Sequence, residues 1–288
     1  MKIHVVVVLY DCLLAESHTV KSLLAMNLDE SSLGHNVSVL LYDNGTNNGK
    51  NASEDNTPFH YVSAPENMGL PGAYNYALKE ACEINAEWLL LLDQDTKLPA
   101  DYFENLYEAV ANHATDLNVV AAVPKMHYRD EFFSPSKVLY AGIMRPIERV
   151  FLGVYPKELF AIGSCSLLRV DFLREIGGFS QDYWLDSLDR WLYKQVHIRK
   201  RRVLVAEIIV EHELSVMDFD KFISEDRYEN ILKYESKFMI NYCSFLENIF
   251  FRLRLCLRSI KLYLNSDNKN FALITAKQVF SFSNSNKA

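Results

Sequence analysis

Positive charge is in short supply in this 288-residue chain: 30 Lys and Arg stand against 37 Asp and Glu, a formal net charge of −7. A general nucleic-acid binder would carry a basic excess, so that class is set aside. Cysteine is sparse, with five scattered residues and no C-x-x-C pair. An odd, unpaired set fits a reducing compartment and argues against a zinc site or a disulfide framework. Long apolar runs are missing too. No stretch reaches the roughly 18 residues needed to span a bilayer, and the opening run Val5 to Leu9 is too short for a secretory segment. A cytoplasmic location is the expectation. There is no internal repeat and no low-complexity segment.

Apolar residues make up 49% of the chain and aromatics 12%, enough for a sizeable core. The length suits one large domain, or one domain with an appendage. Residues 3–9 (IHVVVVL), 37–42 (VSVLLY), 59–62 and 88–92 read as strands, and 15–26 and 73–84 as helices. Strands alternating with helices at this spacing predict β-α-β units and a mostly parallel sheet with helices on both faces. Ligands of such sheets bind beyond the carboxyl ends of the strands. Tyr10-Asp11, Asp43-Asn44 and the Asp93/Asp95 pair all fall at strand ends. The middle, 119–170, is looser and strand-rich. A short helix is expected at 171–178, a helix through YWLDSLDRWLYKQV, a strand at 203–210 and amphipathic helices over 219–264.

The stretch WLLLLDQDTKLP (88–99) drives a buried strand into two acids one residue apart. Like charges that close repel, and desolvating them costs several kcal/mol. Either both acids point into water from a strand-end turn, or something between them neutralises the charge. A divalent cation does this, since hard cations take oxygen ligands from carboxylates and phosphates.

Five segments in order are VVVLYD, LYDNGTNN, ENMGLPGAYNYAL, LLLLDQDTKLP, and GGFSQDYWLDSLDRWL followed by EHELS. Over roughly residues 3–215 the chain resembles glycosyltransferase family 2 of the GT-A fold, most closely its bacterial rhamnosyltransferase-like branch. The resemblance implies an α/β GT-A domain over 1–215, with a nucleotide-sugar half (1–98), an acceptor half (99–215) and a helical extension (216–288). It implies inverting transfer with Mg²⁺ or Mn²⁺, from dTDP-L-rhamnose or a UDP-sugar such as a galactofuranosyl donor, onto a saccharide acceptor, lipid-linked in surface polysaccharide assembly.

By that resemblance Asp95 and His212 ligate the metal, and Asp93 lies nearer the ribose. Asp43 binds the pyrimidine, although DNG is also a turn signal. Tyr10 packs on the base, and Asn67, Gly69 and Asn75 line the nucleotide pocket. Asp189 is the base that takes the acceptor proton, with Asp186 as acceptor-binding partner or alternate base. The two acids are expected at i and i+3 on one helix face. Trp191 and Lys194 replace a further acid and an arginine common in the family, and no glycine follows His212. A module that binds without catalysis is the reading from another class. A nucleotidyltransferase is disfavoured because VVVLYDCLLAES holds neither glycine nor Lys/Arg.

In residues 249–264, Leu253, Leu257, Ile260 and Leu264 share one helical face, with Arg252, Arg254, Arg258 and Lys261 close by. This is the composition of a helix lying on the cytoplasmic membrane leaflet. The alternative is a helix packed on the catalytic domain or in a homodimer contact.

Overall fold

The computed structural model describes residues 1–26, 28, 36–45, 57–64, 66–129, 131–212 and 224–281. Its strands are β1 (Ile3–Leu9), β2 (Val37–Asp43), β3 (His60–Ser63), β4 (Trp88–Asp93), β5 (Val119–Tyr128), β6 (Glu131–Ser134), β7 (Ser136–Val138), β8 (Met144–Pro146), β9 (Gly153–Val154), β10 (Leu159–Phe160), β11 (Leu167–Arg169) and β12 (Arg202–Glu211). Its helices are α1 (His18–Ala25), α2 (Gly69–Glu83), α3 (Tyr102–Ala111), α4 (Val170–Glu175), α5 (Leu188–Ile198), α6 (Glu225–Tyr242), α7 (Phe245–Asn265) and α8 (Asn270–Ser281).

The chain divides into two compact units. One comprises Met1–Lys137 and Arg145–Glu213; the other takes Val138–Met144 together with Leu214–Ala288. In the first unit a large sheet runs in the order β3-β2-β1-β4-β11-β5-β12-β9, with β6 pairing to β5. The β3-β2-β1-β4 block and the β5-β12 pair are parallel, while β11 and β9 run against their neighbours.

The central strands are apolar throughout because both faces are covered. All seven residues of β1 and the five preceding Asp93 in β4 are buried. Val5, Val7, Leu9, Leu90 and Leu92 face a core shared with Val20 and Leu23 of α1 and Tyr102, Phe103 and Leu106 of α3. The alternate residues meet α2, which buries Ala73, Tyr74, Ala77 and Ala81. Each fully buried Leu or Val contributes roughly 1.5–3 kcal/mol, so the strand ends are held on a stiff platform. Register places Asp43 level with Leu9, and Asp93 level with Val8. The strand-end groups predicted to converge do converge.

Three sequence expectations need correction. α2 begins at Gly69, four residues before the expected start. The helix expected through YWLDSLDRWLYKQV begins only at Leu188, because Ser187 adopts a left-handed backbone (φ 66°). Asp186 therefore lies outside the helix, and the i, i+3 argument for pairing it with Asp189 fails. The C-terminal region contains a third helix, α8, that was not anticipated. Residues 219–223 of the expected helical stretch lie outside the described residues.

In the second unit α7 opens with a capping box between Ser244 and Glu247. Tyr228 of α6 lies against Phe271 of α8 and shares a 2.7 Å hydrogen bond with Thr275. Arg254 donates to the Ala141 carbonyl at 2.9 Å; Arg258 lies 3.7 Å from Glu235 and over the Tyr228 ring. Two of the cations expected to flank the apolar stripe are thus drawn into the unit. Among the described residues no helix is long and apolar enough to cross a membrane.

Candidate active site

At the carboxyl edge of the parallel strands, the turn Asp93-Gln94-Asp95-Thr96 is lashed to the start of α1. Ser17 caps that helix, accepting from Val20 N, and its hydroxyl donates to the Gln94 carbonyl at 2.7 Å. The Thr19 hydroxyl reaches the carbonyls of Asp93 and Thr96 and accepts from Thr96 N at 3.0 Å. The Gln94 side chain accepts from Tyr10 N at 2.8 Å, tying the end of β1 to the same turn. These bonds fix the direction in which the two aspartates project. They have no periodic signature in sequence.

Asp93, Asp95 and His212 offer ligand atoms that all lie within 4.8 Å of one another. His212 follows the last residue of β12 and is buried; its Nδ1 lies 3.3 Å from the Thr96 hydroxyl. Thr96 also meets the Ser164 hydroxyl at 3.0 Å, and Ser164 accepts from Asp93 N. One buried hydroxyl pair thus supports both an acid and the imidazole. A hydroxyl partner on one ring nitrogen orients the imidazole, as the outer partners of metal-binding histidines do. Two carboxylates with one imidazole suit Mn²⁺, or Mg²⁺ with water completing the shell, so the residues fit the expected cation.

The electrostatics agree. Burial, reinforced by the charges of Asp95 and Asp189, pushes the Asp93 carboxyl up to about 7. Burial and the neighbouring Asp186 push Asp189 up to about 6, even though Asp189 accepts from Arg190 N at 2.7 Å. Asp189 sits in the first turn of α5 and Asp93 at the end of β4, so separate elements bring them together. Tyr74 of α2 shares this neighbourhood: burial and the charges of Asp93 and Asp189 hold its phenol well above the usual range. A Cβ at Gly163 would lie 3.8 Å from both the Tyr74 hydroxyl and Asp189 Cβ. Sequence reasoning missed Tyr74, Thr96 and Ser164.

The remaining candidates divide. Asp43 is buried, accepting from the Tyr61 hydroxyl at 2.7 Å and from Gly45 N at 3.2 Å, so the turn role expected of DNG is present. Tyr10 is largely exposed at the strand end. Asn67 accepts from Gly69 N, and position 69 requires glycine twice over, for its φ of +69° and because a Cβ there would strike the Trp184 backbone and ring. Asn44, read from sequence as a strand-end polar group, donates to Gly69 O and accepts from Met68 N, each at 3.0 Å. Asn75 also has a bracing role that the sequence did not suggest. Its amide exchanges two 2.8 Å hydrogen bonds with the Phe179 backbone, clamping the Gly-Gly-Phe turn ahead of the acidic motif.

A mostly parallel sheet that gathers acids from separate strands at its carboxyl edge defines the class: an α/β domain with a candidate cation site where such sheets bind ligands. The sequence matches the family model Glycosyl transferase family 2 over residues 5–177, more than half of the chain, and the protein belongs to that family. It is a glycosyltransferase with the GT-A fold. The match ends before Asp186, Asp189 and His212, whose placement rests on geometry. Among solved structures, residues 1–349 of S. aureus TarS are similar, with a TM-score of 0.51 and 15% identity over 99% of this chain and 74% of that one. The same fragment in complex with UDP gives 0.51 and 16%, covering 95% and 75%. A longer TarS structure gives 0.51 and 15%, covering 93% and 44%. At this identity the likeness speaks for the fold alone. No curated protein sequence matches the chain.

Proposed function

We propose that the protein is an inverting, metal-dependent glycosyltransferase. In this reading it moves L-rhamnose from dTDP-L-rhamnose onto a lipid-linked saccharide during assembly of a bacterial surface polysaccharide on the cytoplasmic side. Residues 1–98 bind the nucleotide sugar and 99–215 carry the acceptor side. The observation that carries the catalytic part is the meeting of Asp93, Asp95 and His212 with Asp189, delivered by three separate stretches of chain to one sheet edge.

Asp95 and His212, with Asp93 beside them, hold the cation. When bound, that cation offsets the diphosphate charge as the sugar leaves. Asp43 and Tyr10 receive the pyrimidine, which dTDP and UDP share, and Asn67 and Gly69 shape the wall beside it. Asp189 accepts the proton of the acceptor hydroxyl as that oxygen attacks the anomeric carbon. The anomeric carbon–oxygen bond breaks and its electron pair leaves with the nucleoside diphosphate, so configuration inverts. A base held near 6 is ionised at neutral pH while retaining appreciable proton affinity.

The sugar assignment rests on the resemblance of the DQDT segment to rhamnosyltransferases. Thr96 itself is fully buried under Ser164 and His212, so its role is to hold the turn and not to meet a sugar. A UDP-hexose donor is the second reading, favoured by the UDP complex of a fold relative. A thermal-shift panel of dTDP- and UDP-sugars with Mn²⁺ decides between them, because selective binding stabilises the fold by mass action. The proposal expects dTDP-L-rhamnose to give the largest shift; a larger shift with a UDP-sugar refutes the donor assignment.

A further inference from the structure

The helical unit presents to solvent an apolar face that its own core does not use. α7 buries Phe251 and Leu255, while Leu246, Phe250, Leu253, Leu257, Ile260 and Leu264 are each 54–70% exposed. Their spacings along the chain run four, three, four, three, four. That is the a/d alternation of a heptad, maintained over nearly the whole helix. A helix whose apolar residues served only its own domain would turn that stripe inward. Here a separate pair of buried positions already does that work.

The flanking charges decide between a lipid surface and a protein. An interfacial helix keeps its cations beside the stripe, aimed at anionic headgroups. Arg254 and Arg258 are instead engaged with the Ala141 carbonyl and with Glu235. The size of the stripe also fits a protein partner. At these exposures the six side chains present on the order of 700 Å² per copy, close to the ~800 Å² each partner contributes to a standard interface.

We infer that α7 pairs with α7 of a second copy of this chain, antiparallel about a two-fold axis near Leu255. In that arrangement Leu246 meets the partner's Leu264, Phe250 the partner's Ile260, and Leu253 the partner's Leu257. On one flank Glu247 accepts from Ser244 N at 2.8 Å and from Ala141 N at 3.3 Å, and Arg254 donates to the Ala141 carbonyl, so that flank is engaged within its own unit and the apolar stripe is what a partner meets. Antiparallel pairing matches the stripe with itself end to end and opposes the helix dipoles.

The test is the solution mass of the full chain by analytical ultracentrifugation across the micromolar range. The expected result is a dimer. Leu253→Glu with Leu257→Glu should weaken it more than tenfold while leaving the circular dichroism spectrum unchanged, since both side chains are exposed. Leu253→Gln with Leu257→Gln provides a milder pair should the charged one not fold, with the same direction expected. A wild-type chain that is monomeric throughout, or a dimer indifferent to both double substitutions, overturns the inference. So does a monomer that co-sediments with vesicles of phosphatidylcholine and phosphatidylglycerol, which would assign the face to lipid.

Discussion

The two units of the chain each leave something where simple burial would not put it, and they do so in opposite senses. At the sheet edge of the first unit, Asp93 and Asp189 are half-buried close to Asp95, and their carboxyls are held well above the ordinary range. In the second unit, six large apolar side chains stand in water along α7. A half-buried acid cluster is tolerable when a cation and a proton are to be handled there; an exposed heptad stripe is tolerable when another surface covers it. Both are local losses of stability that mark a place where the chain is completed from outside. The framework around them differs accordingly. The acids are braced by a hydroxyl network on rigid strands, whereas the stripe has only the helix to order it.

The largest effect should come from breaking the acid cluster at its metal side. Asp95→Ala is expected to lower metal-dependent transfer by about 10²–10³ or more while leaving the fold intact, because the side chain serves a ligand and not the core. Steady-state rates over a Mn²⁺ titration check this. Unchanged turnover and metal dependence would remove Asp95 from the site.

Next comes the proton acceptor. Asp189→Asn should cost about 10²–10⁴ in rate while donor affinity stays the same. Asp186→Asn should cost less, since Asp186 stands outside α5 and acts on Asp189 through its charge. Binding isotherms beside initial rates separate the two effects, and an exchange of the two phenotypes would exchange the roles. For the wild type, kcat/KM should fall on the acid side as pH drops through about 6, where the Asp189 carboxyl takes up its proton.

A smaller effect concerns stability. Asp93 binds its proton more tightly in the folded chain than an unfolded aspartate does, with a value near 7 against roughly 3.9. The stability this contributes is complete below the unfolded value and is lost as pH rises through about 7. Metal-free protein should therefore melt at a higher temperature near pH 5 than near pH 8. Asp93→Asn should flatten that part of the profile, and a slope unchanged by the substitution would contradict it. Smallest is Asn75→Ala, which releases both hydrogen bonds to Phe179. About 1–3 kcal/mol of stability should be lost, read as a lower chemical-denaturation midpoint.

Much of the first unit was legible because strands buried on both faces are apolar runs, and such runs end where polar residues begin. That logic found β1, β2 and β4 and the groups at their ends. It failed at Ser187, where one left-handed residue delays α5 and puts Asp186 outside it. It could not report the bracing role of Asn75, whose partners lie at Phe179, too far along the chain for any periodicity to show. The Thr19, Thr96 and Ser164 bracing was invisible for the same reason. In the second unit the apolar period of α7 was readable. Which side of that helix faced inward was not, since the cations beside it could equally serve lipid or neighbouring side chains.

The most direct test of the account is release of nucleoside diphosphate from a nucleotide-sugar panel, with and without Mn²⁺, by the wild type, Asp95→Ala and Asp189→Asn. The account predicts metal-dependent release by the wild type, little or none by Asp95→Ala, and retained donor binding with slowed release by Asp189→Asn. Release that ignores the metal, or wild-type rates in Asp95→Ala, would contradict it.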